Sequence, residues 1–549
     1  MAPTSAGMNG GPGGEARQML HRLSFVSASM LFCLLLIGCS VSTAPKDANR
    51  PHDTLRIAVQ QDVKTLNPLL ISSTVDAFVQ RFMFEPLLSA DPRGNLVPML
   101  AEAVPSRENH GISRDGLSIT YHLRKNAHWT DGVPVSSRDV KFSWRAIMNP
   151  ANNALSRHGY DDIAGIDTPD AHTAVVRLKK AFAPFVDTFF AESDLPYSVV
   201  PEHVLARFPN INQIAFNARP TVSDGPFRFE RWAHGDRIVV TANDTFFMGK
   251  PHLRRIEIRV VPDENTAVNL LRTHDVDFMY QASIATYQTL KSIPGVHFVW
   301  VDVNGYEGLE FNTAHRPLND VRVRRAIAYG INKAQLVRTL TSGQEKLASE
   351  DLPDWMWASD SGLTPYPYDP EKARKLLKAA GVTIPLELTI VTENANVTHK
   401  REALEIQAML AQIGINVQLK TYPGDLLYAA AAAGGILNAG NFDLAIWPWY
   451  GGIDPDNLLQ FGCISVPPHG YNESRYCNPE MERLQNRALT NDDRAQRTAA
   501  YHGIEALLKR DNPTIALWWQ RQQEALVVDL KHFTPNPVVE SWNSWEWSL

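Results

Sequence analysis

The residues best equipped for chemistry in this 549-residue chain gather in one segment, NFDLAIWPWYGGIDPDN, at positions 441–457. Phe442 to Trp447 reads as a buried strand whose end delivers Trp447, Trp449 and Tyr450 beside the pliant pair Gly451 and Gly452. Aromatic faces next to open backbone can hold a solute by stacking and main-chain hydrogen bonds. The alternative is that the two tryptophans anchor a core. Asp454 and Asp456 resemble paired carboxylates or metal oxygens, yet the preceding glycines and the intervening Pro455 equally suit a turn in which aspartates bond local backbone.

Sequence-local signatures of covalent catalysis are missing: there is no GxSxG elbow, no HExxH helix and no GxxxxGK[ST] loop. His469 and the other histidines are scattered. The absence of these signatures does not by itself separate a binder from an enzyme; no residue is singled out as catalytic, and no cofactor or metal centre is expected. Of the four cysteines, Cys463 and Cys477 stand close together far from the other two. In an oxidising compartment they are candidates for a disulfide closing a short loop; as zinc ligands they are too few.

The elements that must position this segment follow from periodicity. Leu55 to Val59 is an apolar strand, followed by a helical stretch around Phe78 to Phe84, a strand at Ile119, Tyr121 and Leu123, and a turn at Asp131-Gly132. Ile256, Ile258 and Val260 alternate, Asp263 caps a helix bearing Ala267, Leu270 and Leu271, and Val276 with Phe278 resumes a strand. The same grammar returns at Leu386 to Ile390, in the helical face Ile406, Met409, Leu410 and Ile413 ended by Gly414, and at Ile415 to Leu419. Between these units, Asp369-Pro370 opens and Gly381 closes an amphipathic helix. Two separate α/β lobes are expected, each with its own largely parallel sheet and a ligand crevice near the carboxyl ends of the strands.

Composition narrows the setting. A hydrophobic share of 44% with 20% charged residues describes a globular body, and 549 residues exceed what one core serves. The formal net charge of -6 without any basic block argues against a nucleic-acid partner. Near the start, Arg17, His21 and Arg22 flank the apolar run Leu23 to Ile37, which falls short of the about 20 residues a spanning helix needs. The run ends in Leu36-Ile37-Gly38-Cys39, the pattern of a lipoprotein export signal with Cys39 as the lipidated residue. A plain signal peptide with an incidental cysteine is the alternative. Residues 1–38 would then be leader and 39–52 a polar linker.

Several stretches, in this order, carry a resemblance: TLNPLL with FEPLL; GNLVPMLAEAVPS; GLSITYHLRKNAHWTDGVPVSSRDVKFSW; SDGPFRFERW; FNTAHRPLNDVRVRRAIAYGINK; YDPEKARKLLKAAG; and WPWYGGIDPDN. From about Leu55 to Gln520 the chain resembles family 5 of the bacterial extracytoplasmic solute-binding proteins, which serve ABC importers of oligopeptides, dipeptides and nickel. The resemblance implies an α/β fold of the periplasmic-binding-protein type II class with an extra lobe: two α/β lobes around a ligand crevice plus a smaller third. Residues 53–90, 221–300 and 515–549 would form lobe I, 91–220 lobe II and 301–514 lobe III. It further implies a monomeric, lipid-anchored receptor at the periplasmic or outer face, delivering a peptide or peptide-like solute to an ABC permease and its ATPase. Dipeptide-binding relatives place a disulfide loop where Cys463 and Cys477 stand.

One departure bears on the ligand. Peptide-binding relatives carry an aspartate four residues before the proline of the tryptophan segment, where it meets the ligand's ammonium group; counting back from Pro455 gives Gly451. Burying an ammonium without a carboxylate costs several kcal/mol. Either Asp454 substitutes, or the ligand lacks a free amino terminus, as a blocked peptide, a sugar-like or opine-like solute, or a nickel chelate would. The ligand-binding set expected from the sequence is thus Trp447, Trp449, Tyr450, Gly451 and Asp454. A periplasmic enzyme or sensor on the same fold is the remaining alternative.

Overall fold

The computed structural model describes residues 53–193 and 196–549. Cys39, the leader and the 39–52 linker lie outside the described residues. The chain enters through β1 (Thr54–Val59) and a hairpin of β2 (Leu88–Ala90) and β3 (Leu96–Pro98). It then forms β4 (Ser118–His122), β5 (Ile163–Asp170) and β6 (Thr173–Leu178), an antiparallel sheet in the order β4-β6-β5. Next come β7 (Phe227–Ala233), β8 (Arg237–Ala242), β9 (Arg255–Val260), β10 (Phe278–Met279) and the long β11 (His297–Phe311). Past β12 (Lys346–Leu347) follow β13 (Leu386–Glu393), β14 (Ile415–Tyr422) and β15 (Leu444–Tyr450), and β16 (Thr514–Leu526) completes the set.

The two strand, helix, strand units appear as the periodicity predicts, with parallel pairing of β1 to β9 and of β13 to β14. They do not form separate sheets. Both belong to one 11-stranded mixed sheet ordered β14-β13-β15-β11-β16-β10-β1-β9-β8-β7, with β12 attached to β16. The reason is the length of two strands: β11 has 15 residues and β16 has 13, and their antiparallel ladder joins both units.

Local signals explain the elements that cover the sheet. The helix Pro370–Ala379 begins where the Asp369 side chain accepts from the Lys372 N–H, with proline at its first position, and stops before Gly381 at φ 70°. It buries Ala373 and Leu377 into a core shared with β13, β14 and the helix Val397–Ala411. In the other unit, Asp263 caps the helix Glu264–Arg272 through the Thr266 N–H. Two expectations shrink: the first helix is Thr74–Gln80 rather than Phe78 to Phe84, and β10 is only two residues long. Phe82 leaves the helix to meet Phe227 and Trp547 edge-on, so packing overrides local periodicity there.

Candidate functional site

The tryptophan segment is the end of β15. Leu444, Ala445 and Ile446 are buried, Trp447 and Trp449 are half-buried, and Tyr450 is 51% exposed, so the strand passes from core to opening within seven residues. Along β11, Trp447 lies opposite Gly308 and Trp449 opposite Tyr306. The two indoles share a face and meet edge-on at 5.9 Å. Trp447 donates its indole N–H to Glu310 Oε2 at 3.0 Å and packs on the cluster of Val391, Leu427, Leu437 and Phe442. Trp449 packs on Tyr306, Ala348, Ala516 and Trp519, and its ring meets Tyr471. Tyr471 stands on the loop closed by the Cys463–Cys477 disulfide, whose Cα atoms are 4.7 Å apart across a sequence separation of 14.

Beyond Trp449 the chain opens into cavities. One, of about 340 Å³, lies between Tyr450 and Gly451 at the end of β15, Arg521 to Gln523 on β16, and Thr74, Gln281 and Ala282 from the other unit of the sheet. A second, of about 60 Å³, adjoins it through Tyr450 and Gly451 and adds Trp449, Asp454, Asp456, His158 and Asp187. A third, of about 680 Å³, shares Asp187 with the second and runs past Trp357, Arg494 and Arg497. The first and the third fall within the 300–1,000 Å³ that small-ligand sites usually occupy, and the first is the one walled by both units of the sheet. Trp447 lines none of these three, so its position is that of an anchor, while Trp449, Tyr450, Gly451 and Asp454 all reach a cavity wall.

The wall is built on an irregularity between the two long strands. From Asp302 to Tyr306, β11 advances four positions while β16 passes only from Arg521 to Trp519. The surplus loop of β11 carries Asn304, whose carbonyl accepts from the Gly451 N–H at 2.7 Å and whose amide donates to the Gly452 carbonyl at 2.8 Å. Gly305 sits so close beneath β15 that an added Cβ would lie 2.6 Å from the Trp449 carbonyl.

Residues 95–465 match the model of the bacterial extracellular solute-binding proteins, family 5. The chain belongs to this family. Among curated relatives, di/tripeptide-binding protein 2 of Pseudomonas aeruginosa is 28% identical over 518 residues, covering 89% of this chain and 93% of the relative. Among solved structures, NikZ from Campylobacter jejuni in complex with Ni(L-His) is 25% identical with a TM-score of 0.75, covering 91% of this chain and 100% of that one. AgaA from A. tumefaciens R10 in complex with agropinic acid is 25% identical with a TM-score of 0.71, covering 90% and 97%. The fold of this family 5 protein is thus the periplasmic-binding-protein-like α/β class, and these relatives are binding proteins.

In this family 5 protein the space at Gly451 is filled by its neighbour: a Cβ at that position would stand 2.7 Å from Asn304 Nδ2. An aspartate there would have to displace Asn304 and break its bond to the Gly452 carbonyl. Asp454 is occupied elsewhere. Both its oxygens accept from Arg497 Nη2 at 2.7 Å, and both side chains are at least nine-tenths buried. Separating them would leave a buried charge unpaired. Asp187 presses its own carboxyl onto Asp454, and burial together with that neighbouring charge pushes Asp187 up to about 8. Alongside, His158 Nε2 lies 3.4 Å from Asp456 Oδ2, while Asp456 also caps the local turn by accepting from the Leu458 N–H.

Other residues at this site gave no local signal in the sequence. Asn304, Asp187, Arg497 and Gln523 come from segments far from the tryptophans, and no spacing rule connects them. Behind Trp447 lies a row of buried acids. Burial pushes Glu310 up to about 8 against the pull of the Trp447 N–H, and Glu402, fully buried with neither oxygen hydrogen-bonded, is pushed well up by burial and then by Glu307. Among the described residues no group of three His, Cys, Asp or Glu is placed to hold a metal ion, and no helix is long and apolar enough to cross a membrane.

Proposed function

We propose that this family 5 protein is the extracytoplasmic receptor of an ABC importer, tethered to the membrane through a lipid on Cys39, that captures a peptide-like solute and presents it to the permease without chemically altering it. The observation that carries this reading is the 340 Å³ cavity at the end of β15, walled by both units of the sheet where β11 and β16 join them. A solute held there touches both units, so binding favours the arrangement in which they close on it. The lobes assigned to residues 53–90, 221–300 and 515–549 and to 301–514 would move about those two strands, with 91–220 following the first. Trp449, Tyr450 and Gly451 form the ligand wall, Trp447 supports it from behind, and Asp454 acts structurally through Arg497.

The second reading, a solute without a free ammonium group, is favoured by one observation: among the described residues Arg521 is the only charged one lining the cavity, and it is paired with Asp302 at 2.7 Å. One titration addresses both. Tryptophan fluorescence of the purified protein is followed with di- and tripeptides, their N-acetylated forms and an opine. Saturable change with free peptides supports the first reading, and with acetylated peptides or the opine alone the second. No response to any of them, with no binding by calorimetry, would overturn both.

A further inference from the structure

Gln281, two residues past the end of β10, lines the 340 Å³ cavity with a strained backbone: its φ is 46°, a left-handed conformation that residues with a side chain rarely adopt. Two buried acids hold it there. Its main-chain N–H donates to Glu524 Oε2 at 2.9 Å, and its side-chain Nε2 donates to Glu540 Oε1 and to the Tyr280 hydroxyl, both at 2.8 Å. The Tyr280 hydroxyl in turn donates to Glu540 Oε2 at 3.2 Å. Strain of this kind persists only where neighbours impose it, and it concentrates at ligand sites.

This network fixes which end of the amide meets the cavity. Both N–H groups of Nε2 are spent on buried partners, whereas Oε1 points to Thr74, an exposed residue of the same cavity wall. Among the described residues the Thr74 hydroxyl is the one partner of Oε1, at 3.4 Å, the outer edge of hydrogen-bonding range. Behind the amide the charge is one-sided. Glu540 and Glu524 are 1% and 0% exposed, and the groups facing Glu540 are Glu524, Tyr280, Gln281 and Glu192, the last already paired with Arg81. Among the described residues no cation pairs with either acid. Burial pushes Glu540 up to about 7, and burial followed by the charge of Glu540 pushes Glu524 well above the usual range. Glu540 is thus balanced between its neutral and charged forms, and a nearby cation would tip it to the charged one. A carboxylate would be repelled here, and an uncharged donor would leave the acids uncompensated.

We propose that Gln281 Oε1 and the Thr74 hydroxyl receive an ammonium group of the ligand, with Glu540 as the positioning residue that fixes the amide and supplies the opposite charge from behind it; this rests on the peptide-like reading above. The ammonium belongs either to the amino terminus of a peptide or to a lysine-like side chain.

The test uses two pairs of peptides: trialanine with its N-acetylated form, and N-acetyl-Ala-Lys-Ala with its norleucine counterpart. Each is titrated by calorimetry at about pH 6.5, below the titration of an α-amino group, into wild type, Glu540→Gln and Gln281→Met. Wild type should favour the ammonium-bearing member of one pair on the order of 10-fold, and which pair it is identifies the source of the ammonium. In both variants that preference should vanish. Buffers of different ionisation enthalpy should report release of on the order of half a proton as the ammonium binds wild type, and none in Glu540→Gln. A side chain that merely braced the fold would release no proton. The melting temperature of Glu540→Gln should hold or rise, since a buried ionisable group gives way to a neutral one of the same shape. Binding of both pairs to wild type without preference, or a folded variant that keeps the preference, overturns the assignment while leaving peptide capture intact. Preference without proton release overturns the part given to Glu540. Failure of wild type to bind any of the four peptides overturns the peptide reading and this assignment with it.

Discussion

At Gly451 a single missing side chain is answered by a single neighbour, because Asn304 fills the volume and bonds the main chain on either side of it. Gly451→Asp should therefore destabilise the protein by about 1–3 kcal/mol through overpacking and a lost hydrogen bond. It should not confer preference for a free amino terminus unless Asn304 is also cut back to glycine. Denaturant unfolding and the affinity ratio of a free to an N-acetylated tripeptide check the two halves of this expectation. A gain in free-peptide affinity from the single substitution would show that the loop yields more easily than the 2.7 Å approach implies. The motif singled out Trp449, Tyr450 and Gly451, all of which reach a cavity wall. Asn304 was not legible in the sequence, since its bonds to Gly451 and Gly452 span nearly 150 residues, and neither was the Arg497 that engages Asp454.

Among the elements, the short helix Phe185–Thr188 meets the loop after β15 through Asp187 and Asp454. The groups facing Asp187 there are Asp454, Arg497 and Arg494, with Asp456 and His158 beside them. Asp187 keeps a proton in the folded protein that an open aspartate sheds near its usual range, so the native state binds more protons and stability falls as pH rises toward about 8. Unfolding free energy measured from pH 5 to 9 should decline, and Asp187→Asn should flatten that decline by up to one proton, about 1.4 kcal/mol per pH unit. An unchanged slope would mean that other raised carboxyls, such as Glu310 and Glu505 at about 8 and about 9, account for all of it. The helix caps at Asp263 and Asp369 and the stops at Gly381 and Gly414 were readable because each is a contact within a few residues. The brevity of β10 and the early end of the first helix were not, because the sheet and the aromatic core decide them.

For the whole molecule, the proposed lipid on Cys39 would hold the body beside a membrane. Cys39→Ser should release the protein from the membrane fraction in soluble form, with ligand affinity unchanged, as fractionation and titration of the released protein would check. Retention of the serine variant on the membrane would remove Cys39 as the anchor. Order along the chain was enough to determine the α/β class, the family resemblance, the two strand, helix, strand units and the stretch that carries the aromatic wall, since all of these rest on local periodicity and contiguous motifs. Only the tertiary structure decided that the two units share one sheet, that Trp447 stands behind the wall while Trp449 lines it, and that Asp454 belongs to Arg497. Each of these depends on which distant segments the ladder of β11 and β16 brings together, and pairing over some 200 residues leaves no periodic trace in either strand.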